Sequence, residues 1–404
     1  RNLAKPVWNT VCVTGCSSPP PAAQDPPAVL VAASLLSLAI LLQPASAAPD
    51  VVSATIEARE EGLAVRYVFP EPVAQLRLSG PLSETVDRVH LDGAPGRVSA
   101  GLAGCGPDCR FTGAALHRYA ASARAYPEII DAGACGLFAD LSAFTPVDPA
   151  TGEILPVRFQ LGDRTVRSSG DAPDYAVVRA PDRAPVCAQT ALMAEDRLAA
   201  SAARMADDYG AVFGHLPVGA PRVIVTTAPG PAPGRGGLRG LAAGDDLVFL
   251  FVEPGANPAA ERALAVLSHE IAHLWIGRRA RLHPQFEQAW IYEGAAEYLS
   301  LKQSLRIDLL DDAAALDTLA RHASACLAAL DTARLLLNGS TQTGGFAYHC
   351  GTLVAFYADQ AMQLAGSRFE AAMADLVAGR RFRAGEASGL DVLDVLSAHM
   401  NADA

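Results

Sequence analysis

The segment Ser268–Trp275, SHEIAHLW, constrains this chain more than any other. It sets His269, Glu270 and His273 among Leu264, Val266, Leu267, Ile271, Leu274, Trp275 and Ile276. The stretch is predicted helical from Ala259 to about Ile276, opened by Asn257-Pro258 and stopped by Gly277. Two imidazoles and a carboxylate on an apolar helix must find partners in the fold, since each unsatisfied buried polar group costs about 1–3 kcal/mol. A surface helix carrying two histidines is the competing reading, and the apolar surround argues against it. Positions i and i+4 share a helical face, so both imidazoles can reach one metal ion, while the i+1 carboxylate stands beside it to act on a water. Zinc suits this set, because it takes neutral imidazoles at about 2.0–2.1 Å and lowers the pKa of a bound water to about 7. One zinc ion is the expected cofactor.

A third ligand is needed. Ile276 and Arg279 exclude the pattern in which another histidine follows His273 by six residues. His283, beside Pro284, reads as a solvated loop residue. The candidate is Glu293 in Trp290–Tyr298, WIYEGAAEY, which opens a second predicted helix running from Trp290 to Ser304. Glu293 and Glu297 are again i and i+4. One can bind the metal while the other takes the free ring N–H of a ligating histidine and fixes its tautomer. Without the upstream motif they would read as two exposed helix carboxylates. With it, Glu293 is the expected ligand and Glu297 its supporting neighbour.

Around these motifs the pattern changes twice. Residues 1–47 hold the apolar run Ala28–Leu42, followed by Pro44 and Ala45-Ser46-Ala47. Fifteen helical residues reach only about 22 Å, short of the roughly 30 Å hydrocarbon core. An export signal followed by a small-x-small cleavage site is the expectation, with a membrane anchor through residues 28–42 as the alternative. Residues 48–185 alternate and break like an all-β domain, with runs at Val51–Ala58, Leu63–Phe69 and Val73–Leu78. The breaker cluster Arg179–Pro185 ends it. Residues 186–305 mix helices with two apolar strands, Arg222–Thr227 and Leu247–Val252, and residues 306–404 are mostly helical. Beyond residue 47 the chain keeps Cys105, Cys109, Cys135, Cys187, Cys326 and Cys350. Six cysteines in an oxidising compartment suggest three disulfides, and local pairing (105–109, 135–187, 326–350) is the simplest arrangement. With 32 basic against 43 acidic residues, a nucleic-acid partner is not expected.

The pair HEIAHLWIG and WIYEGAAEY is similar to the zinc-binding sequences of the aminopeptidase N-like and thermolysin-like zinc metallopeptidases. Phe213-Gly214-His215-Leu216-Pro217 before a strand resembles a stretch preceding their active-site sheet. The resemblance implies an α+β fold: an N-terminal β domain, a thermolysin-like catalytic domain over 186–305 and a C-terminal helical region. It implies an exported peptidase acting on peptide or protein substrates, with no stable membrane span in the mature chain. His269, His273 and Glu293 would hold zinc, and Glu270 would be the general base. In Tyr348-His349-Cys350-Gly351, which resembles the family's Y-x-K-G, Tyr348 would donate to the developing oxyanion, with His349 as the alternative donor. Gly236 and Gly237 would offer backbone groups to an extended peptide.

Two departures bear on specificity. Nineteen residues, 274–292, separate His273 from Glu293, which is the thermolysin spacing. Arg239 stands where aminopeptidases of the family carry an amine-binding glutamate, so exo- and endopeptidase action both stay open. The alternative function is a catalytically inactive zinc-containing periplasmic or surface binding protein.

Overall fold

A computed structural model describes residues 52–59, 62–69, 75–78, 90–91, 97–99, 102–104, 114–118, 129–148, 151–168, 175–179, 184–216, 219–227, 237–277, 289–335, 346–379 and 389–400. The predicted export segment and the Cys105–Cys109 pairing lie outside them. The described residues all belong to one compact unit. The fold is mixed α+β.

The first part is built from short strands: β1 (Val52–Arg59), β2 (Gly62–Val68), β3 (Gln75–Leu78), β4 (His90–Leu91), β5 (Arg97–Ser99), β6 (Leu102–Gly104) and β7 (Ala114–Arg118). They are followed by β8 (Ile129–Asp131), β9 (Leu137–Asp140), β10 (Pro146–Val147), β11 (Val157–Leu161), β12 (Arg164–Ser168) and β13 (Tyr175–Arg179). Three sheets result, ordered β12-β11-β1-β2-β7-β4, β10-β3-β6-β5 and β13-β9-β8. The alternation read from the sequence sets the register of the first hairpin: Ala54 faces Tyr67 and Ile56 faces Val65. These four side chains are buried on one face, as a period of two requires. The Tyr67 hydroxyl donates to the Phe144 carbonyl at 2.7 Å, so its polar tip is satisfied inside the core.

After the breaker cluster the sheet changes character. Strands β14 (Val186–Ala188), β15 (Arg222–Thr227), β16 (Leu238–Ala243) and β17 (Leu247–Val252) pair in the order β14-β15-β17-β16. The first three neighbours in that order run parallel, and β16 runs antiparallel to β17. Every residue of β17 is buried, as a continuous LVFLFV run demands. One face of this sheet packs on the helices. The other packs Ile224, Phe249 and Phe251 against Ile130, Phe138 and Tyr175. The Cys135–Cys187 disulfide crosses the same junction. Two such loops closed by covalent bonds, 135–187 and 326–350, constrain the unfolded chain by roughly 3–4 kcal/mol each.

Helix α1 runs over Glu195–Phe213 and ends at Gly214 with φ 82°. Helices α2 (Ala260–Ile276) and α3 (Ala289–Arg306) match their predicted spans closely. Then come α4 (Asp312–Leu335), a π-helical turn (Phe346–Cys350), α5 (Gly351–Leu364), α6 (Phe369–Val377) and α7 (Gly389–Met400). Among the described residues no helix is long and apolar enough to cross a membrane.

The helical half is knotted at Asp359, which is buried on α5. Its carboxylate accepts from the Tyr298 hydroxyl at 2.7 Å, Lys302 Nζ at 2.9 Å, Gln363 Nε2 at 3.0 Å and the Phe369 N–H at 2.9 Å. Lys302 also reaches Glu370 at 2.6 Å. His399 on α7 contacts Ser367 Oγ at 2.8 Å and Asp375 Oδ2 at 3.0 Å, tying the last helix to α6. Burial pushes the Asp359 carboxyl up, but Tyr298, the Phe369 amide and Lys302 together hold it below its usual 3.8. A lowered folded pKa stabilises the fold above pH 3.8 and ceases to do so as the pH falls below it. Asp359→Ala leaves buried donors unpaired and is expected to destabilise the chain by about 3–5 kcal/mol. Urea unfolding at pH 7 checks this; a loss below 1 kcal/mol, on the order of an exposed pair, would show that the knot is replaceable.

Candidate metal centre

Helix α2 lies between the sheet and α3, so its polar residues are turned inward with its apolar ones. His269, Glu270 and His273 are all buried. From α3, Glu293 points to the same place. The three donor atoms form a small triangle. His269 Nε2 and His273 Nε2 are 3.0 Å apart, and each is 3.3 Å from Glu293 Oε2. Ligand atoms at about 2.0–2.1 Å in a tetrahedral shell would stand roughly 3.3 Å from one another, so the donor set fits a zinc-sized cation. It is the one group of three or more such side chains, among the described residues, arranged to hold a metal ion.

The rings are held by packing as much as by polar contacts. His269 and His273 meet edge to face with centroids 4.7 Å apart. Tyr292 stacks on His273 at 4.1 Å and Tyr348 stacks on His269 at 5.6 Å. Tyr348 thus lies against one of the three side chains that could hold a metal ion. Glu297 Oε2 lies 2.9 Å from His269 Nδ1 in a charge-paired contact bent away from a straight hydrogen bond. Its other oxygen lies 3.6 Å from His322 Nε2 on α4. Tyr292 and His322 carried no sequence expectation. The only local signal for His322 is its i,i+4 spacing from Cys326, which places both on one face of α4.

Two close approaches shape the centre. A Cβ at Gly240 on β16 would collide with the Glu270 side chain, so the edge strand passes directly against the proposed base. A Cβ at Gly294 would strike the backbone of Gly351, and one at Gly351 would strike the Trp290 carbonyl. Backbone-to-backbone contact between α3 and the start of α5 therefore brings the turn bearing Tyr348 down onto His269.

Other candidates fall elsewhere. Gly236 and His283 are outside the described residues. Gly237 immediately precedes β16 with φ 74°, and its carbonyl accepts the Glu253 N–H at 2.9 Å. Arg239 is buried opposite Phe251, on the sheet face turned away from Glu270. Strand alternation forbids it from sharing a face with Gly240. Asp246 bonds Arg222 at 2.9 Å.

The charges are strongly interdependent. Burial alone would lower the His269 pKa, but Glu293 and Glu297 hold it well above the usual imidazole range. Burial pushes Glu293 up, and the hydrogen bonds from His269 and His273 bring it far below the usual carboxylate range. Burial acts on Glu297 in the same way, and His269 brings it down to about 2. Burial raises Glu270, only partly countered by the two histidines. Without a cation, then, the negative Glu293 and Glu297 keep a proton on His269.

No family model matches the chain, and no curated protein matches it either.

A cation entering this site must displace the His269 proton, because only the neutral ring can ligate. Affinity for a divalent ion is therefore expected to rise with pH until His269 is deprotonated, with proton release on binding. Calorimetric titration in buffers of different ionisation enthalpy measures the protons released. Uptake with no proton release would mean that His269 is already neutral before the cation arrives.

Proposed function

We propose that the chain is an exported zinc metallopeptidase of the Glu-ligand class, with His269, His273 and Glu293 as metal ligands and Glu270 as general base. The observation that carries this reading is the convergence of three ligand atoms within 3.0–3.3 Å, with Glu270 adjoining them on the same helix. Zinc in this site would supply a Lewis acid for the scissile carbonyl and acidify a water. The residues do the rest. Glu270, raised by burial, accepts the proton of the attacking water and returns it to the departing amine. Tyr348, stacked on His269, donates its hydroxyl to the oxyanion. Among the described residues β16 pairs only with β17, so its outer edge suits an extended peptide laid past Gly240 and Glu270.

The competing reading, a zinc-containing binding protein without turnover, predicts the same metal content. Hydrolysis of a mixed peptide pool, with and without a chelator, separates them, and the cleavage positions assign exo- or endopeptidase action. Glu270→Gln is expected to keep the metal and lose hydrolysis. For the native chain, the rate should rise with pH through the Glu270 pKa, above the ordinary carboxylate value of 4.5, because only the ionised carboxylate takes a proton. Retained hydrolysis in Glu270→Gln removes it as the base. Tyr348→Phe is expected to lower kcat about 100- to 1,000-fold with little change in KM. A KM effect alone would assign Tyr348 to substrate packing.

A further inference from the structure

A chain of side chains runs outward from the metal centre and returns to it. Glu297 touches His269 with one oxygen and faces His322 with the other. His322 Nδ1 meets His349 Nδ1 at 3.0 Å. His349 adjoins Tyr348, whose ring lies on His269. The neighbouring Cys326–Cys350 disulfide joins the same two elements, α4 and the π-helical turn, with Cα atoms 4.8 Å apart. His322 and Cys326 are one helical turn apart, and His349 and Cys350 are adjacent. One covalent bond and one imidazole pair thus fasten the same junction.

We propose that His322 and His349 are positioning residues, which hold Glu297 on His269 and away from the metal while fixing the turn that carries Tyr348. Glu293 and Glu297 are equivalent by spacing, and this pairing is what makes them different. Glu293 faces both ligand nitrogens; Glu297 is held between two histidines.

The proton positions follow from the contacts. A 3.0 Å approach of two ring nitrogens needs one proton between them. Burial lowers both His322 and His349, so both rings are neutral at pH 7. At 3.6 Å from a carboxylate, His322 Nε2 is favoured as the protonated nitrogen, which leaves Nδ1 as a lone pair. His349 Nδ1–H is therefore the donor. His349 orients His322, His322 orients Glu297, and Glu297 orients the ligand His269. Outer partners of this kind typically set metal affinity by about 10- to 100-fold.

Asparagine and glutamine at position 322 separate the two halves of the device. Gln Nε2 can replace the donor toward Glu297, whereas Asn Oδ1 can replace the acceptor toward His349. The full chain is loaded with zinc by competition against a chromophoric chelator, and apparent Kd and melting temperature are read together. His322→Asn and His322→Ala are expected to weaken zinc binding about 10- to 100-fold. His322→Gln should restore most of it. His349→Ala, which removes only the outermost partner and leaves His322 facing Glu297, should weaken zinc binding less than His322→Ala does and lower kcat for peptide hydrolysis. Equal zinc affinities for the Asn and Gln variants, or equal loss of folding in both, would reduce the pair to packing and overturn the proposal. The kcat arm rests on the peptidase reading, but the zinc arm does not. If affinities follow the Gln/Asn order and no variant, nor the native chain, cleaves peptide, the peptidase reading fails and the positioning of Glu297 stands.

Discussion

The organising constraint is electrostatic. Helix α2 buries two imidazoles and a carboxylate in an apolar core, where isolated charge is strongly disfavoured. The surrounding elements answer that demand. Helix α3 supplies Glu293 and Glu297, α4 supplies His322, and the π-helical turn supplies Tyr348 and His349. Each is aligned on the site by a specific contact, so much of the helical half is arranged around α2. The knot at Asp359 repeats the principle in a simpler form. One buried carboxylate receives four donors, and α3, α5 and α6 are drawn together by it.

Much of this was legible along the chain because it depends on local spacing. The i,i+4 pairs 269/273 and 293/297 put their side chains on common helical faces before any tertiary structure is known. The period-two alternation of Val52, Ala54 and Ile56 marked a half-buried strand, and the unbroken LVFLFV run marked a covered one. Two of the three proposed cysteine pairs are bonded as short-range pairing suggests. What was not legible depends on partners distant in sequence. Residues 238–243, LRGLAA, have no β-branched residue and continue a glycine-rich stretch, so no local signal marks β16. Pairing with β17 makes it a strand. Arg239 was aligned by motif position, but the strand's pleat turns it to the opposite face. His322 meets His349 across 27 residues, and nothing in either local sequence announces the contact.

The β-rich first part is joined to the helical part through a shared core rather than a thin linker. Phe138 packs edge-on against Phe249 with centroids 4.8 Å apart, and Tyr175 leans on the same ring. Phe249 belongs to β17, whose other face supports α2. Aromatic packing therefore backs the strand that carries the helix bearing His269 and His273. A sheet covered on both faces resists bending, which keeps the Gly240 edge at a constant height against Glu270.

The meeting of Gly294 and Gly351 has a consequence for how finely the centre can drift. Where side chains separate two helices, the spacing varies with rotamer choice and thermal repacking. Here main chain rests on main chain, so the separation is set by bond lengths and van der Waals radii. The phenol of Tyr348 hangs from that fulcrum only three residues away. Its height above His269 is thus a property of the backbone lattice, insulated from substitutions that merely reshape the surrounding core. The same insulation makes the two glycines a single heritable unit: neither can acquire a side chain unless the helices part, and the helices cannot part without lifting the tyrosine.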